Sequence, residues 1–135
     1  MHPTIARLVE AMNNHDPHGM AAQMAKDYFS EQPVHPNRTF TGNGQVAANW
    51  AQMFAGVPDM VCTVVAEDTV GSRSWSEWRW DGHHPDGSDF AVRGVIVAGL
   101  RDDGLIQWAR LYVEPVEQDS PAIEEAVQQL SRADD

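Results

Sequence analysis

The sequence predicts an α+β fold in which a curved antiparallel sheet is covered by N-terminal helices. Three observations carry this. The first third of the chain spaces its apolar residues at a helical period. The second half switches to the strand period, broken by short Asp/Gly turns. Helices that precede a run of strands argue for segregated α and β layers rather than a parallel α/β sheet.

Taken in order, Thr4 is placed to cap a first helix with Ile5, Leu8, Val9 and Met12 on one face, and Asn13-Asn14-His15 ends it. Asp16 caps a second helix with Pro17 at its first position and Met20, Ala21 and Met24 on its apolar side. Residues 28–34 read as a short strand, closed by Pro33 and Pro36. Thr41-Gly42-Asn43-Gly44 opens a third helix carrying Val46, Ala47, Trp50, Met53 and Phe54, and Gly56 with Pro58 ends it. Residues 60–70, 74–80, 90–100 and 105–113 are strands. Asp81-Gly82-His83-His84-Pro85-Asp86-Gly87 and Asp102-Asp103-Gly104 turn between them, so these strands run antiparallel. Gly94 and Gly99 allow the third long strand to bend, and a bent sheet closed by helices leaves a cavity. Residues 1–118 form one domain in this reading. Residues 119–135 form an acidic C-terminal segment, either a short helix around 121–130 or a loose tail; Glu124, Glu125, Asp134 and Asp135 add to its charge.

The 135 residues suit one domain, and five Trp with six Met provide large apolar surfaces for a core or a cavity. A net charge of −11 and a pI near 4.7 argue against nucleic acid and against anionic membrane surfaces as partners. The single cysteine, Cys62, sits in an apolar run and reads as a buried thiol. Met1-His2-Pro3-Thr4 leads into the first helix without a basic and apolar leader, so a cytoplasmic protein is expected. No metal and no cofactor are expected. His83-His84 with Asp86 share one turn and cannot easily converge on an ion, and His15 and His18 sit at a helix start. Gly42-Asn43-Gly44 lacks the Lys-Ser/Thr of a phosphate loop, and no nucleophile elbow is present.

The order of elements, together with Asn14-His15-Asp16, Glu31-Gln32-Pro33, Thr41-Gly42, Glu77-Trp78, Val92-Arg93-Gly94-Val95 and the run from Asp103-Gly104-Leu105-Ile106 to Tyr112, resembles the NTF2-like superfamily. That group includes SnoaL-like polyketide cyclases, ketosteroid isomerases and limonene epoxide hydrolases, and the resemblance spans roughly residues 4–116. It implies a cone-shaped sheet with a pocket at its open end, the NTF2-like or cystatin-like α+β roll, and a dimer. It also locates the positions where those enzymes keep their catalytic groups. The isomerases' general-base Asp aligns with Gln32. The last-strand Asp of the cyclases and epoxide hydrolases aligns with Leu111. The epoxide hydrolases' Arg and second Asp fall on Trp78 and Trp80. An amide cannot exchange a proton near neutral pH, so the isomerase mechanism is not supported.

The resemblance also implies that Trp78 and Trp80 face the cavity with Ala109, Leu111 and Val113. The expected ligand contacts are Phe29, Gln32, His35, Trp50, Trp78, Trp80 and Leu111, around a small apolar metabolite. The tryptophans either bound a ligand space or fill it as core. Glu31 is the candidate acid or base if apolar neighbours desolvate it, and otherwise an exposed strand residue. His35 either contacts the ligand or packs between Pro33 and Pro36. Glu77, Arg79, Arg93, Arg110 and Tyr112 share the opposite face, where Glu77 can pair with the arginines and a homodimer can form. A phase error of one residue would turn that charged set into the cavity instead. Function is thus expected to be small-molecule binding, with catalysis left open; an enzyme here would do cofactor-free isomerase, cyclase or hydrolase chemistry. The alternative is a non-catalytic ligand-binding or protein-interaction module.

Overall fold

A computed structural model describes residues 1–132. The chain runs α1 (Pro3–Asn13), α2 (Pro17–Ala21), β1 (Met24–Glu31), a 3-10 turn (Pro36–Arg38), β2 (Phe40–Thr41), α3 (Asn43–Gly56), β3 (Val61–Val70), β4 (Arg73–His83), β5 (Asp89–Leu100), β6 (Ile106–Pro115) and α4 (Ile123–Ser131). The six strands form one curved sheet in the order β2-β1-β6-β5-β4-β3, with α1, α2 and α3 packed on its concave side. The α+β fold is the one expected.

The sheet is antiparallel except at one seam, where β1 and β6 run parallel. Local turns fix the antiparallel sense only for strands joined directly. β1 meets β6 across more than half of the chain, so no turn dictates their direction.

α1 is capped by His2, whose Nδ1 accepts the Thr4 N–H at 3.1 Å, with Pro3 at the first position. Thr4 is therefore inside the helix, not its cap. Its buried hydroxyl donates to the Gly104 carbonyl at 2.6 Å and ties α1 to the β5–β6 turn. At the other end, the Asn13 carboxamide donates to the Cys62 carbonyl at 2.9 Å and accepts the Cys62 N–H at 2.8 Å, standing in for a neighbouring strand at the edge of β3. His15 takes a left-handed backbone (φ 52°), stacks on Phe54 and contacts the Met60 carbonyl at 2.8 Å. Asp16 then caps α2 by accepting the Gly19 N–H, as its sequence predicts.

α2 is shorter than expected. Met24 leaves it and starts β1, because Ile106 pairs with Met24 and donates its N–H to the Gln23 carbonyl at 2.9 Å. A single turn has little helical cooperativity to oppose that pairing. Cys62 is buried, and that burial pushes its thiol up to about 12.

On β4 burial alternates without exception from Ser74 to Trp80. Ser74, Ser76, Trp78 and Trp80 face the helices, while Trp75, Glu77 and Arg79 are exposed. At Gly94 a side chain would stand 2.0 Å from the Tyr112 carbonyl oxygen, so only glycine lets β5 and β6 approach there. Gly99 serves packing rather than bending alone: the Trp108 indole lies across it, where a Cβ would come within 2.0 Å of Nε1.

α4 buries no residue and leaves Ile123, Val127 and Leu130 exposed. Asp134 and Asp135 lie outside the described residues. Among the described residues no helix is long and apolar enough to cross a membrane.

Candidate functional site

Between the helices and the concave face lies a cavity of about 360 Å³, within the range of roughly 300–1,000 Å³ usual for small-molecule sites. Its floor is apolar. Ile5 and Met12 come from α1, Met20 from α2, Trp78 from β4 and Ile106 from β6, all nearly fully buried. The helical face of α1 and the two-residue period of β4 and β6 aim these side chains inward. Trp50 from α3 stands edge-on to Trp80, with ring centres 5.0 Å apart, and closes one side.

The polar groups on this wall are few. Trp78 Nε1 donates to Ser76 Oγ at 2.7 Å, and Ser76 Oγ donates to the Ile96 carbonyl at 3.3 Å, so the largest buried ring is fixed by its own strand. The Trp80 indole N–H is the one buried side-chain polar atom without a hydrogen-bond partner among the described residues. Tyr28 is buried in the wall, and that burial pushes its phenol above the ordinary value of 10, partly offset by a hydrogen bond with Ser30. At the exposed rim, Arg38 Nη1 donates to Gln32 Oε1 at 2.9 Å; Asn49 and Pro115 are the other exposed residues of the lining.

The wall contains no Asp, Glu, His, Lys or Cys among the described residues. Its ionisable groups are Tyr28, neutral at physiological pH, and Arg38, always charged. Burial holds the Tyr28 phenol protonated near pH 7.

Five of the residues expected at the site, Gln32, Trp50, Trp78, Trp80 and Leu111, line this cavity, as do Ala109 and Val113. Three do not. Phe29 and Glu31 alternate with the inward Tyr28, Ser30 and Gln32, so they fall on the far face of β1, where Phe29 is exposed. Glu31 sits opposite Arg110 of β6, away from the space it was expected to serve. His35 lies in the loop after β1, and its Nε2 is 2.6 Å from Glu114 Oε1. The register also resolves the phase of the sheet. Glu77, Arg79, Arg93, Arg110 and Tyr112 are absent from the cavity wall and share the convex face. The expected Glu77–arginine ladder is replaced there. Arg93 pairs with Asp81 at 2.8 Å, and Arg110 lies over the Trp108 ring at 4.5 Å, with Arg73 also over it at 5.6 Å.

Tyr28 and Arg38 are wall residues that the sequence did not single out, and Met12 and Met20, expected only on the apolar faces of the first two helices, also line the cavity. Tyr28 was legible in principle, since it shares the β1 parity of Gln32. Arg38 belongs to a loop, where no period reports direction.

A sequence profile described as the SnoaL-like domain matches residues 5–109. No functionally curated protein matches the sequence significantly. Among solved structures, a hypothetical protein of Catenulispora acidiphila with a ketosteroid isomerase-like fold, in complex with trimethylamine, superposes with a TM-score of 0.72 at 19% identity, over 82% of this chain and 84% of that one. A Mycobacterium tuberculosis protein in complex with estradiol-17β-hemisuccinate gives 0.68 at 20% identity, over 81% and 89%. An uncharacterised cystatin-fold protein of Novosphingobium aromaticivorans gives 0.64 at 19% identity, over 80% and 93%. At these identities the likeness is one of fold.

Proposed function

The chain belongs to the SnoaL-like domain family, within the NTF2-like superfamily, and from that premise we propose that it holds a small, mostly apolar molecule in the cavity without acid/base catalysis by a carboxylate. One observation carries this: a cavity of about 360 Å³ walled by tryptophan, methionine and aliphatic side chains, with no Asp, Glu or His among its described lining residues. Proton abstraction or donation near neutral pH needs a group that titrates there, and burial pushes the Tyr28 phenol further from that range. The ligands named for two structural neighbours, trimethylamine and estradiol-17β-hemisuccinate, support a ligand space in this fold.

The test is tryptophan fluorescence against a panel of apolar metabolites, since Trp50, Trp78 and Trp80 all line the cavity. A saturable change is expected, lost when Ala109→Trp fills the space. A saturable change that persists in that variant would place the ligand elsewhere. Ligand turned over by the native chain would overturn the non-catalytic part.

A homodimer through the convex face is part of the same proposal. Trp75, Tyr112 and Phe29 are 48%, 42% and 40% exposed there, and half-exposed aromatic residues in a sheet face suit burial against a second copy. The reading keeps the protein cytoplasmic.

A further inference from the structure

Resting on the ligand-pocket reading above, we infer that the ligand is an amphiphilic anion, its apolar body in the cavity and its anionic group at the rim on Arg38. In a chain of net charge −11, Arg38 is the one cation among the described lining residues. Its hydrogen-bond acceptor is the Gln32 amide, at 2.9 Å. An amide orients the guanidinium without cancelling its charge, whereas a carboxylate at that position would form an ion pair and neutralise it. Glu114, at the end of β6 next to the rim residue Pro115, is engaged by His35 at 2.6 Å. Other arginines lie away from the cavity wall: Arg93 pairs with Asp81, Arg101 with Asp103, Arg73 and Arg110 lie over Trp108, and Arg79 is on the convex face.

The placement of polarity selects the ligand's shape. The floor residues Ile5, Trp78 and Ile106 present apolar surface, Ser76 is already bonded on both sides, and the unpartnered Trp80 N–H is a single neutral donor. An uncompensated charge on a ligand cannot be desolvated there. At the rim, the guanidinium keeps free N–H groups and is exposed, which matches the planar oxygens of a carboxylate or the oxygens of a sulfonate. The ligand class is therefore an aromatic or aliphatic acid rather than a neutral or cationic molecule.

The experiment uses a matched pair of fluorescent probes, anilinonaphthalene sulfonate and its uncharged parent phenylnaphthylamine, titrated into the native chain, Arg38→Gln and Gln32→Glu. The measured quantity is the ratio of the two affinities. The native chain is expected to bind both probes. Each variant should lower the sulfonate-to-parent ratio about tenfold, the scale of a charge-assisted hydrogen bond, with parent binding lowered less than sulfonate binding. Gln32→Glu keeps the guanidinium and supplies the carboxylate that would neutralise it, so its effect isolates charge from shape. An unchanged ratio in both variants overturns the anion inference and leaves the pocket reading intact. Equal loss of both probes also overturns it, because that marks damage to the cavity. Failure of the native chain to bind either probe overturns the pocket reading itself.

Discussion

Gln32 and Arg38 show how one side chain changes what a cavity can do. An acid in place of Gln32 would give the wall a proton-exchanging group and would cancel the charge beside it; the amide does neither. His83 is a second residue with a definite electrostatic role. Its Nδ1 is 2.7 Å from Asp59 Oδ2, its N–H donates to Asp59 Oδ1 at 2.7 Å, and Asp89 lies 3.5 Å from Nε2. The hydrogen bond to Asp59 raises the His83 pKa above 6.5, and the same bond lowers that of Asp59 below 3.8. A raised histidine pKa stabilises the fold at pH values below 6.5 and loses that contribution as pH rises through the folded value. A lowered Asp59 pKa contributes above 3.8 and is lost as pH falls through the folded value. The clamp between the α3–β3 link and β4 is thus strongest in the mildly acidic window between the two. A proton NMR titration should give His83 a pKa above 6.5 that returns toward 6.5 in Asp59→Asn. An unshifted His83 in the native chain would remove this clamp.

At the scale of elements, periodicity located the long strands to within a few residues, because β4 and β6 present one face to helices and one to solvent. The boundary of α2 and β1 was misplaced because Met24 fits a helical face and a strand equally well, and only pairing with Ile106 decides between them. The β5–β6 seam rests on Gly94. Gly94→Ala forces a Cβ to within 2.0 Å of the Tyr112 carbonyl oxygen and should cost about 3 kcal/mol. Gly44→Ala, in α3 with nothing within 4 Å of its added Cβ, should be neutral or stabilise by up to about 1 kcal/mol. Urea unfolding of the two variants measures the contrast; equal midpoints would show that the close approach at Gly94 relaxes freely.

The whole molecule has two unlike sheet faces. The concave face carries α1, α2 and α3, while the convex face leaves Trp75 and Tyr112 half-exposed. The proposed dimer would bury this face. Sedimentation should give a dimer for the native chain and a monomer for Trp75→Arg, with parent-probe binding retained in both. A native monomer at every concentration would end that proposal.

The sequence by itself determined the layers and the alternation of faces along the strands, which follow from local periods. The inward placing of Trp78, Trp80 and Leu111 and the mismatch of Gln32 with a general base came from the family resemblance, and the sheet register decided the phase. Tertiary structure alone decided that β1 lies parallel to β6, that Glu31 turns away while Tyr28 turns in, and that Arg38 reaches the rim. Each depends on contacts between residues distant in the chain or on a loop without a period, and a one-residue change in strand phase reverses the face on which every side chain lies.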